Sequence, residues 1–166
     1  PRSARKAARG RPRSARGRPR ETLTRVLFAD TSALARVYLE DEPDARTLRT
    51  LLLDSGEAVL ASELVRVELA RSAKGAERAG RLTSAAMMLD LVDDDLYGPI
   101  TVVDLDPPAI LPSARELVLE YRLGTLDAIH LAVAVDFRDT GSDDVVFVTR
   151  DADQAAAAKA LGFPLL

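Results

Sequence analysis

The amino-acid sequence predicts an α/β fold built on a central, mainly parallel sheet of four to five short strands. Two observations predict it. From residue 25 onward, short and continuously apolar segments alternate with longer helical ones. The apolar segments also lack the in–out alternation of a half-exposed strand, which indicates burial on both faces of the sheet. A chain of 166 residues suits one such domain.

The predicted strands are the short apolar segments themselves. Each is rich in Val, Ile, Leu or Phe and is followed by a polar residue that ends it. In chain order, strands are predicted at residues 26–29, 58–61, 100–103 and 145–148, with a fifth edge strand at residues 163–166.

Helices are predicted between the strands, where start and stop signals bracket the longer segments. N-cap residues at 30–32 follow the first strand, Pro43 opens the second helix and Ser62 caps the third. Gly75 separates a helical pair, and Gly162 ends the last helix. The helices are predicted at residues 33–39, from 43 onward, 64–74, 76–91, 109–121, 126–137 and 151–161.

The composition excludes several kinds of chemistry. The chain has no cysteine and one histidine, His130, so disulfides, thiolate sites and multi-histidine zinc sites are ruled out. No apolar run approaches the roughly 20 residues that span a bilayer, and no signal peptide is evident. We therefore expect a cytoplasmic protein without a membrane partner, whose chemistry depends on carboxylates, hydroxyls and bases.

The net charge of −3 conceals an asymmetry. The first 20 residues carry nine of the 23 basic residues and no acid, which leaves 14 bases against 26 acids in the rest of the chain. The first 20 residues contain no large apolar residue, and residues 1–23 are therefore expected to be disordered. They are either an arginine-rich arm for nucleic acid or sequence from a misplaced start or an expression vector.

Acidic residues lie where a parallel sheet places its functional site, at the carboxyl ends of the strands. Asp30 and Asp151 follow the first and fourth strands. Taken alone, each is equally well explained as an N-cap. Asp127 opens a helix that is apolar nearly all round, so we expect its side chain to be partly buried.

Glu68 is the acid that is hardest to explain as a surface residue. It falls on the apolar side of its predicted helix, away from the helix N-terminus. A buried carboxylate must be neutral, paired or metal-bound, and Arg66 or Arg71 could pair with it. Glu63, in contrast, is expected to be an ordinary exposed acid in the first turn.

Carboxylates gathered at one place repel each other, so a fold that collects them needs a counter-charge. With one histidine and no cysteine in the chain, a hard cation such as Mg²⁺ or Mn²⁺ fits best. Such a site is suited to phosphoryl chemistry, because the metal activates a bound water and stabilises charge on phosphate oxygens.

Four segments, in order, resemble the motifs of PIN-domain ribonucleases, in the form found in the toxins of VapBC-type toxin–antitoxin pairs. The segments are VLFADTSAL (26–34), SELVRVELAR (62–71), LGTLDAIHLA (123–132) and VTRDADQ (148–154). Their acids are Asp30, Glu68, Asp127 and Asp151, with Asp153 as an additional candidate. The resemblance covers about residues 25–166 and is carried by the order of all four segments.

The resemblance implies a three-layer α/β/α PIN-like domain over residues 24–166 and Mg²⁺- or Mn²⁺-dependent endoribonuclease activity. It also implies a homodimer and inhibition by a cognate antitoxin. By position, Asp30, Glu68 and Asp127 would bind the metal, and Asp151 would do so directly or through water. Ser32 would orient water or Asp30, unless it merely caps the first helix.

The expected reaction is attack of a metal-activated water on an RNA phosphodiester. Because the body is acidic, bases must help to hold the RNA, and the candidates are Arg36, Arg71, Arg122 and Arg150. His130 is either a packed histidine at the edge of the core or a proton relay beside the site.

Other functions remain open at this stage. A catalytically silent PIN scaffold that binds RNA or a protein is the main alternative. A receiver-type phosphoacceptor would need a lysine after a late strand, and neither Lys74 nor Lys159 is placed there. An Asp-x-Asp phosphatase is disfavoured because Thr31 and Ser32 follow Asp30.

Overall fold

The computed structural model describes residues 25–141 and 144–166 of the chain. The arginine-rich segment at residues 1–23 lies outside the described residues. Across the described ranges, strands and helices follow one another in nearly the predicted order. No helix in these ranges is long and apolar enough to cross a membrane.

Four predicted strands form one sheet in the described part of the chain. They are β1 (Arg25–Ala29), β2 (Ala58–Ser62), β3 (Ile100–Val103) and β4 (Asp144–Val148). All neighbours are parallel, and the spatial order is β3-β2-β1-β4. The prediction of a central parallel sheet is therefore confirmed, and β1 lies between β2 and β4.

The predicted fifth edge strand is reduced to a single bridge. Leu165 pairs with Phe147 in parallel, and the Phe147 N–H donates to the carbonyl of Pro164 at 2.9 Å. Proline has no N–H to donate, so Pro164 cannot extend a regular ladder.

Seven α-helices surround the sheet in the described ranges. They are α1 (Thr31–Tyr38), α2 (Ala45–Arg49, continued by the π-helical turn Thr50–Asp54), α3 (Val65–Arg78), α4 (Ala85–Leu96), α5 (Pro107–Glu120), α6 (Thr125–Thr140) and α7 (Ala152–Ala160).

Alternate residues of β1 face opposite sides of the sheet and build two cores. Leu27 and Ala29 pack against α1–α4, whereas Val26 and Phe28 pack against α5–α7. Full burial of a side chain such as Leu27 or Phe28 contributes about 1.5–3 kcal/mol to folding. The predicted three-layer α/β/α arrangement is confirmed.

The predicted break near Gly75 is wrong. Helix α3 runs through Gly75 to Arg78, since one glycine costs a helix interior only about 1 kcal/mol. The break comes at Gly80, whose φ of 72° is the left-handed conformation that ends helices. Ser84 then caps α4 by accepting a hydrogen bond from the Met87 N–H.

Two expectations for the start of α3 are also wrong. Ser62 is the last residue of β2, and its hydroxyl bonds to His130 instead of capping the helix. Glu63 precedes the helix, and its carboxylate accepts a hydrogen bond from the Leu105 N–H at 2.6 Å. The side chains of Ser62 and Glu63 thus link the end of β2 to α6 and to the segment after β3. A local capping pattern does not predict such contacts.

Candidate active site

The four predicted acids meet in one cleft at the carboxyl ends of β1 and β4. The cleft has a volume of about 280 Å³. It is lined by Asp30, Thr31, Ser32, Glu68, Arg71, Ser72, Asp127 and Asp151. Asp153 is exposed in the first turn of α7 and does not line the cleft.

Asp30 serves as a helix cap and also faces the cleft. It directly follows β1, and its backbone N–H donates to the Val148 carbonyl of β4 at 2.9 Å. One carboxylate oxygen, Oδ2, accepts from the Ser32 N–H at 2.9 Å at the start of α1. The other, Oδ1, accepts from Nε2 of Gln154 at 3.0 Å. The N-cap and site interpretations are therefore compatible, because the cap orients the carboxylate.

Asp151 combines the same two features at the start of α7. Its Oδ1 accepts a hydrogen bond from the Gln154 N–H at 2.7 Å. Its own N–H donates to the Thr149 hydroxyl at 3.1 Å. The turn after β4 is thereby held beside Asp30, which follows the neighbouring strand.

Glu68 reaches the cleft from α3, a helix on the opposite face of the sheet from α5–α7. It lies in the first turn of α3, so the expectation that it lies far from the helix N-terminus is wrong. Its Oε2 accepts a 2.6 Å hydrogen bond from the Thr31 hydroxyl and also contacts Nε2 of His130. Burial raises the pKa of Glu68, but these two hydrogen bonds, together with the charges of His130 and Arg71, outweigh burial and hold the pKa below its ordinary value.

His130 is both a packed residue and a neighbour of the site. Its ring is fully buried, and Nδ1 lies 2.8 Å from the Ser62 hydroxyl. Burial lowers its pKa, yet the Glu68 hydrogen bond and the nearby charges of Asp30, Glu68 and Asp127 raise the pKa above its ordinary value. A protonated ring can donate to Ser62 and Glu68 at once, which satisfies both nitrogens.

Asp127 is the acid whose ionisation the neighbouring carboxylates disfavour. It lies half-buried in the first turn of α6, as the apolar helix predicts. Burial raises its pKa, and the charges of Asp30, Asp151 and Glu68 raise it further. This shift is electrostatic evidence that the four carboxylates act on one another.

Gly124 makes room for the Asp127 carboxylate. A Cβ at position 124 would lie 2.7 Å from Oδ2 of Asp127, closer than such atoms approach in proteins. The backbone φ of −66° at Gly124 suits any residue. A larger residue here would therefore displace the Asp127 carboxylate, so it is the small size of glycine, and not its backbone conformation, that suits this position.

The Ser32 side chain supports the turn after β4. Its hydroxyl lies 3.1 Å from the Thr149 hydroxyl and accepts from the Arg150 N–H at 2.8 Å. Only the backbone N–H of Ser32 contacts Asp30. Ser32 therefore orients Asp30 through its main chain, while its side chain joins α1 to the β4–α7 turn.

The four arginines predicted to help hold RNA differ in whether they line the cleft and whether an acid already pairs with them. Arg36 and Arg150 both bind Asp44, Arg36 with an N–O distance of 3.0 Å, so their charges are already paired. Arg122 is exposed and does not line the cleft. Arg71 lines the cleft beside the acids and makes no ion pair within the described residues.

Sequence reasoning missed Gln154 and Thr149, which lie among the acids. Gln154 comes three residues after the helix cap Asp151, the spacing of a capping box. That spacing could have flagged Gln154, although its side chain reaches Asp30 rather than the helix end. Thr149 carries no local signal of its own.

The cleft fits a hydrated hard cation. No three acidic or histidine side chains in residues 25–141 and 144–166 form a ready-made ligand group. Mg²⁺ does not need one, because it is commonly held by one or two carboxylates and keeps several waters. The donors are oxygens, and the raised pKa of Asp127 shows the repulsion that a cation would relieve. The cleft-lining carboxylates that could hold such a cation are those of Asp30, Glu68, Asp127 and Asp151.

Together, the fold and the cleft define a three-layer α/β/α protein with a carboxylate cluster at the ends of parallel strands. The PIN domain family matches residues 27–160, and the chain belongs to that family. Among curated proteins, no match is found.

Solved structures with the same fold include several toxin–antitoxin proteins. VapC20 of Mycobacterium tuberculosis, described as a sarcin–ricin loop cleaving toxin, is 21% identical with a TM-score of 0.57, over 82% of this chain and 95% of that one. VapBC2 of Rickettsia felis, bound to a DNA fragment from its promoter, is 14% identical with a TM-score of 0.58, over 85% and 97%. A toxin–antitoxin complex from Klebsiella pneumoniae is 21% identical with a TM-score of 0.51, over 85% and 95%.

Proposed function

We propose that this PIN-domain protein is a Mg²⁺- or Mn²⁺-dependent endoribonuclease that acts in the cytoplasm as the toxin of a toxin–antitoxin pair. The observation that carries the proposal is the convergence of four carboxylates in one cleft, where burial and the charges of the other three raise the pKa of Asp127. Such mutual repulsion is costly for a structural role and useful for binding a cation.

The position of each acid in the cleft would determine how it binds the cation. The carboxylates of Asp30, Glu68 and Asp127 would bind the cation, and Asp151 would bind it directly or through water. All four line the cleft. A bound Mg²⁺ would supply an activated water and neutralise charge on the phosphate oxygens. His130 and Thr31 hold the Glu68 carboxylate in place from inside the protein. No side-chain nucleophile is required.

Arg71 would bind the RNA phosphate beside the acids. It lines the cleft with Ser72, on the helix that carries Glu68. A guanidinium matches the geometry of a phosphate, and a nearby positive charge offsets the acids that would repel RNA. The tail at residues 1–23 is a separate candidate for RNA contact, and its removal is a simple further test.

A larger groove supports the proposal of an antitoxin partner. It has a volume of about 580 Å³ and lies between the end of α1, the α3–α4 connection and α4. Met87 and Leu91 are largely exposed there, and Glu40 and Asp90 add negative charge. Asp41 also lines the groove, but Arg81 pairs with it there. An antitoxin segment with apolar and basic side chains would complement this surface.

The homodimer is proposed on a separate apolar surface. Leu111, Val118 and Leu119 of α5 are exposed, and a shallow groove of about 170 Å³ runs between α5 and α6. Burial of such a patch against a second copy would remove apolar surface from water.

The proposed function is tested with purified protein and a mixed pool of transfer and ribosomal RNA, in Mg²⁺, Mn²⁺ or EDTA. We expect discrete fragments that require metal and that disappear with Asp30→Asn. Asp136→Asn is the matched control, since Asp136 is an exposed acid on α6 outside the cleft. RNA binding without cleavage in any metal would instead support the silent scaffold.

A further inference from the structure

Gln154 is a buried amide at the centre of the acid cluster. Its side chain is fully inaccessible to solvent, although it is polar and lies on α7. Nε2 donates to Oδ1 of Asp30 at 3.0 Å and to the backbone carbonyl of Asp127 at 3.3 Å. Oε1 accepts from the Thr149 hydroxyl at 2.6 Å. The backbone N–H of Gln154 also donates to Asp151. This one residue is therefore hydrogen-bonded to three of the four acids.

Only one orientation of the Gln154 amide gives each of its hydrogen bonds both a donor and an acceptor. If the amide were flipped, its oxygen would face the Asp30 carboxylate and the Asp127 carbonyl, and two acceptors would meet. The Thr149 hydroxyl must therefore donate to Oε1, which leaves its oxygen to accept from Ser32. The Ser32 oxygen in turn accepts from the Arg150 N–H.

The result is a directed chain of donors that ends on a carboxylate. It runs from the Arg150 N–H through the hydroxyls of Ser32 and Thr149 to the Gln154 amide, and from there to Asp30. Hydrogen bonds in such a chain polarise and strengthen one another in a buried setting. The chain fixes one oxygen of Asp30, while the Ser32 N–H holds the other.

We propose that Gln154 is a positioning residue that holds the Asp30 carboxylate in the orientation needed to bind the divalent cation. The proposal rests on the proposed function, because it takes Asp30 to be a metal ligand. A neutral amide is suited to this position, since it donates to Asp30 without competing for the cation. A glutamate here would bring a fifth carboxylate within hydrogen-bond distance of Asp30.

The test measures Mn²⁺ binding directly, by the loss of the free Mn²⁺ signal in electron paramagnetic resonance at pH 7. Gln154→Met keeps the length of the side chain but removes the amide. We expect Mn²⁺ affinity to fall at least about tenfold, the effect typical of losing an outer-shell partner of a metal ligand. Thr149→Val should act in the same direction, whereas Thr149→Ser keeps the hydroxyl and should retain the affinity.

Ala158→Gly controls for a purely structural effect, because Ala158 is equally buried on the same helix and belongs to the hydrophobic core. It should lower thermal stability with little change in Mn²⁺ affinity. Wild-type affinity in folded Gln154→Met would overturn the proposal and leave the nuclease proposal standing. If Gln154→Met does not fold, an unchanged affinity in Thr149→Val would overturn it. Absence of both Mn²⁺ binding and cleavage in the wild type would defeat the two proposals together.

Discussion

Glu68 of α3 and His130 of α6 bond to each other inside the protein, although their helices belong to opposite layers around the sheet. Glu68 contacts the histidine Nε2, and Ser62 of β2 holds Nδ1 at 2.8 Å. The pair therefore joins the two layers just behind the cleft. It also sets the position of Glu68, which lies on a helix and not at the end of a strand.

Replacement of His130 by alanine is expected to destabilise the protein by about 3 kcal/mol, because it leaves a partly buried carboxylate without its charged partner. The measurement is urea unfolding in EDTA. Ser62→Ala is the control, since it removes one hydrogen bond to the same ring and should cost only about 1 kcal/mol. Equal losses in the two variants would show that the charge of Glu68 is not balanced by His130.

The same pair predicts how stability depends on pH. The pKa of His130 is raised above its ordinary 6.5, so its contribution is complete below that value and is lost as pH rises through the raised pKa. The pKa of Glu68 is lowered below its ordinary 4.5, so its contribution is present above 4.5 and is lost as pH falls through the lowered pKa. The Glu68–His130 pair should therefore stabilise the folded protein most at a pH between the two ordinary pKa values, 4.5 and 6.5.

Unfolding free energies in EDTA from pH 6 to 9 test this prediction. The wild type should lose stability across the range more steeply than His130→Ala does. Parallel curves for the two proteins would mean that the histidine does not titrate with a raised pKa.

Asp127→Asn should abolish RNA cleavage and raise thermal stability in EDTA. The pKa of Asp127 is raised by burial and by the neighbouring carboxylates, so removal of its charge relieves repulsion. The gain should reach about 1 kcal/mol at most, since solvent screens a half-buried group. Differential scanning calorimetry with and without Mg²⁺ provides the measurement. A lower melting temperature in EDTA would instead indicate a structural role for this carboxylate.

Gly124→Ala should weaken Mn²⁺ binding and cleavage while the fold is kept. The added Cβ would lie 2.7 Å from Oδ2 of Asp127 and force that carboxylate to move. Gly75→Ala is the matched control, because no atom lies within 4 Å of the new Cβ and the site is a helix interior. That control should gain about 0.5–1 kcal/mol of stability. Undiminished metal binding in Gly124→Ala would show that Asp127 can adopt another productive rotamer.

Arg71→Gln should weaken RNA binding and reduce its salt dependence by about one phosphate contact. The measurement is fluorescence anisotropy of a labelled RNA at several salt concentrations, with Asp127→Asn added to prevent cleavage. Arg78→Gln removes an exposed charge at the far end of α3 and serves as the control. A similar slope change in both variants would mean that RNA senses only the total charge.

The sheet and the acids could be predicted because their signals are local. A short apolar run followed by Asp30 already indicates a strand end, and such ends converge in a parallel sheet. The roles of Ser62 and Gln154 could not be predicted in this way. They depend on partners that are distant in the chain, such as Gln154 with Asp30, 124 positions apart.

The pairing of β1 with β4 also fixes when the cleft can form. Residues 25–29 lie beside residues 144–148, so Asp30 meets Asp151 only after the more than 100 residues between the two strands have been synthesised. Contacts between such distant segments form late, because loop closure must precede them. A chain still being translated would hold Asp30 and Glu68 without Asp151 or Gln154. By this topology, synthesis of β4 and α7 completes the acid cluster, and a ribosome-attached chain would gain its cleft only after both elements have been made.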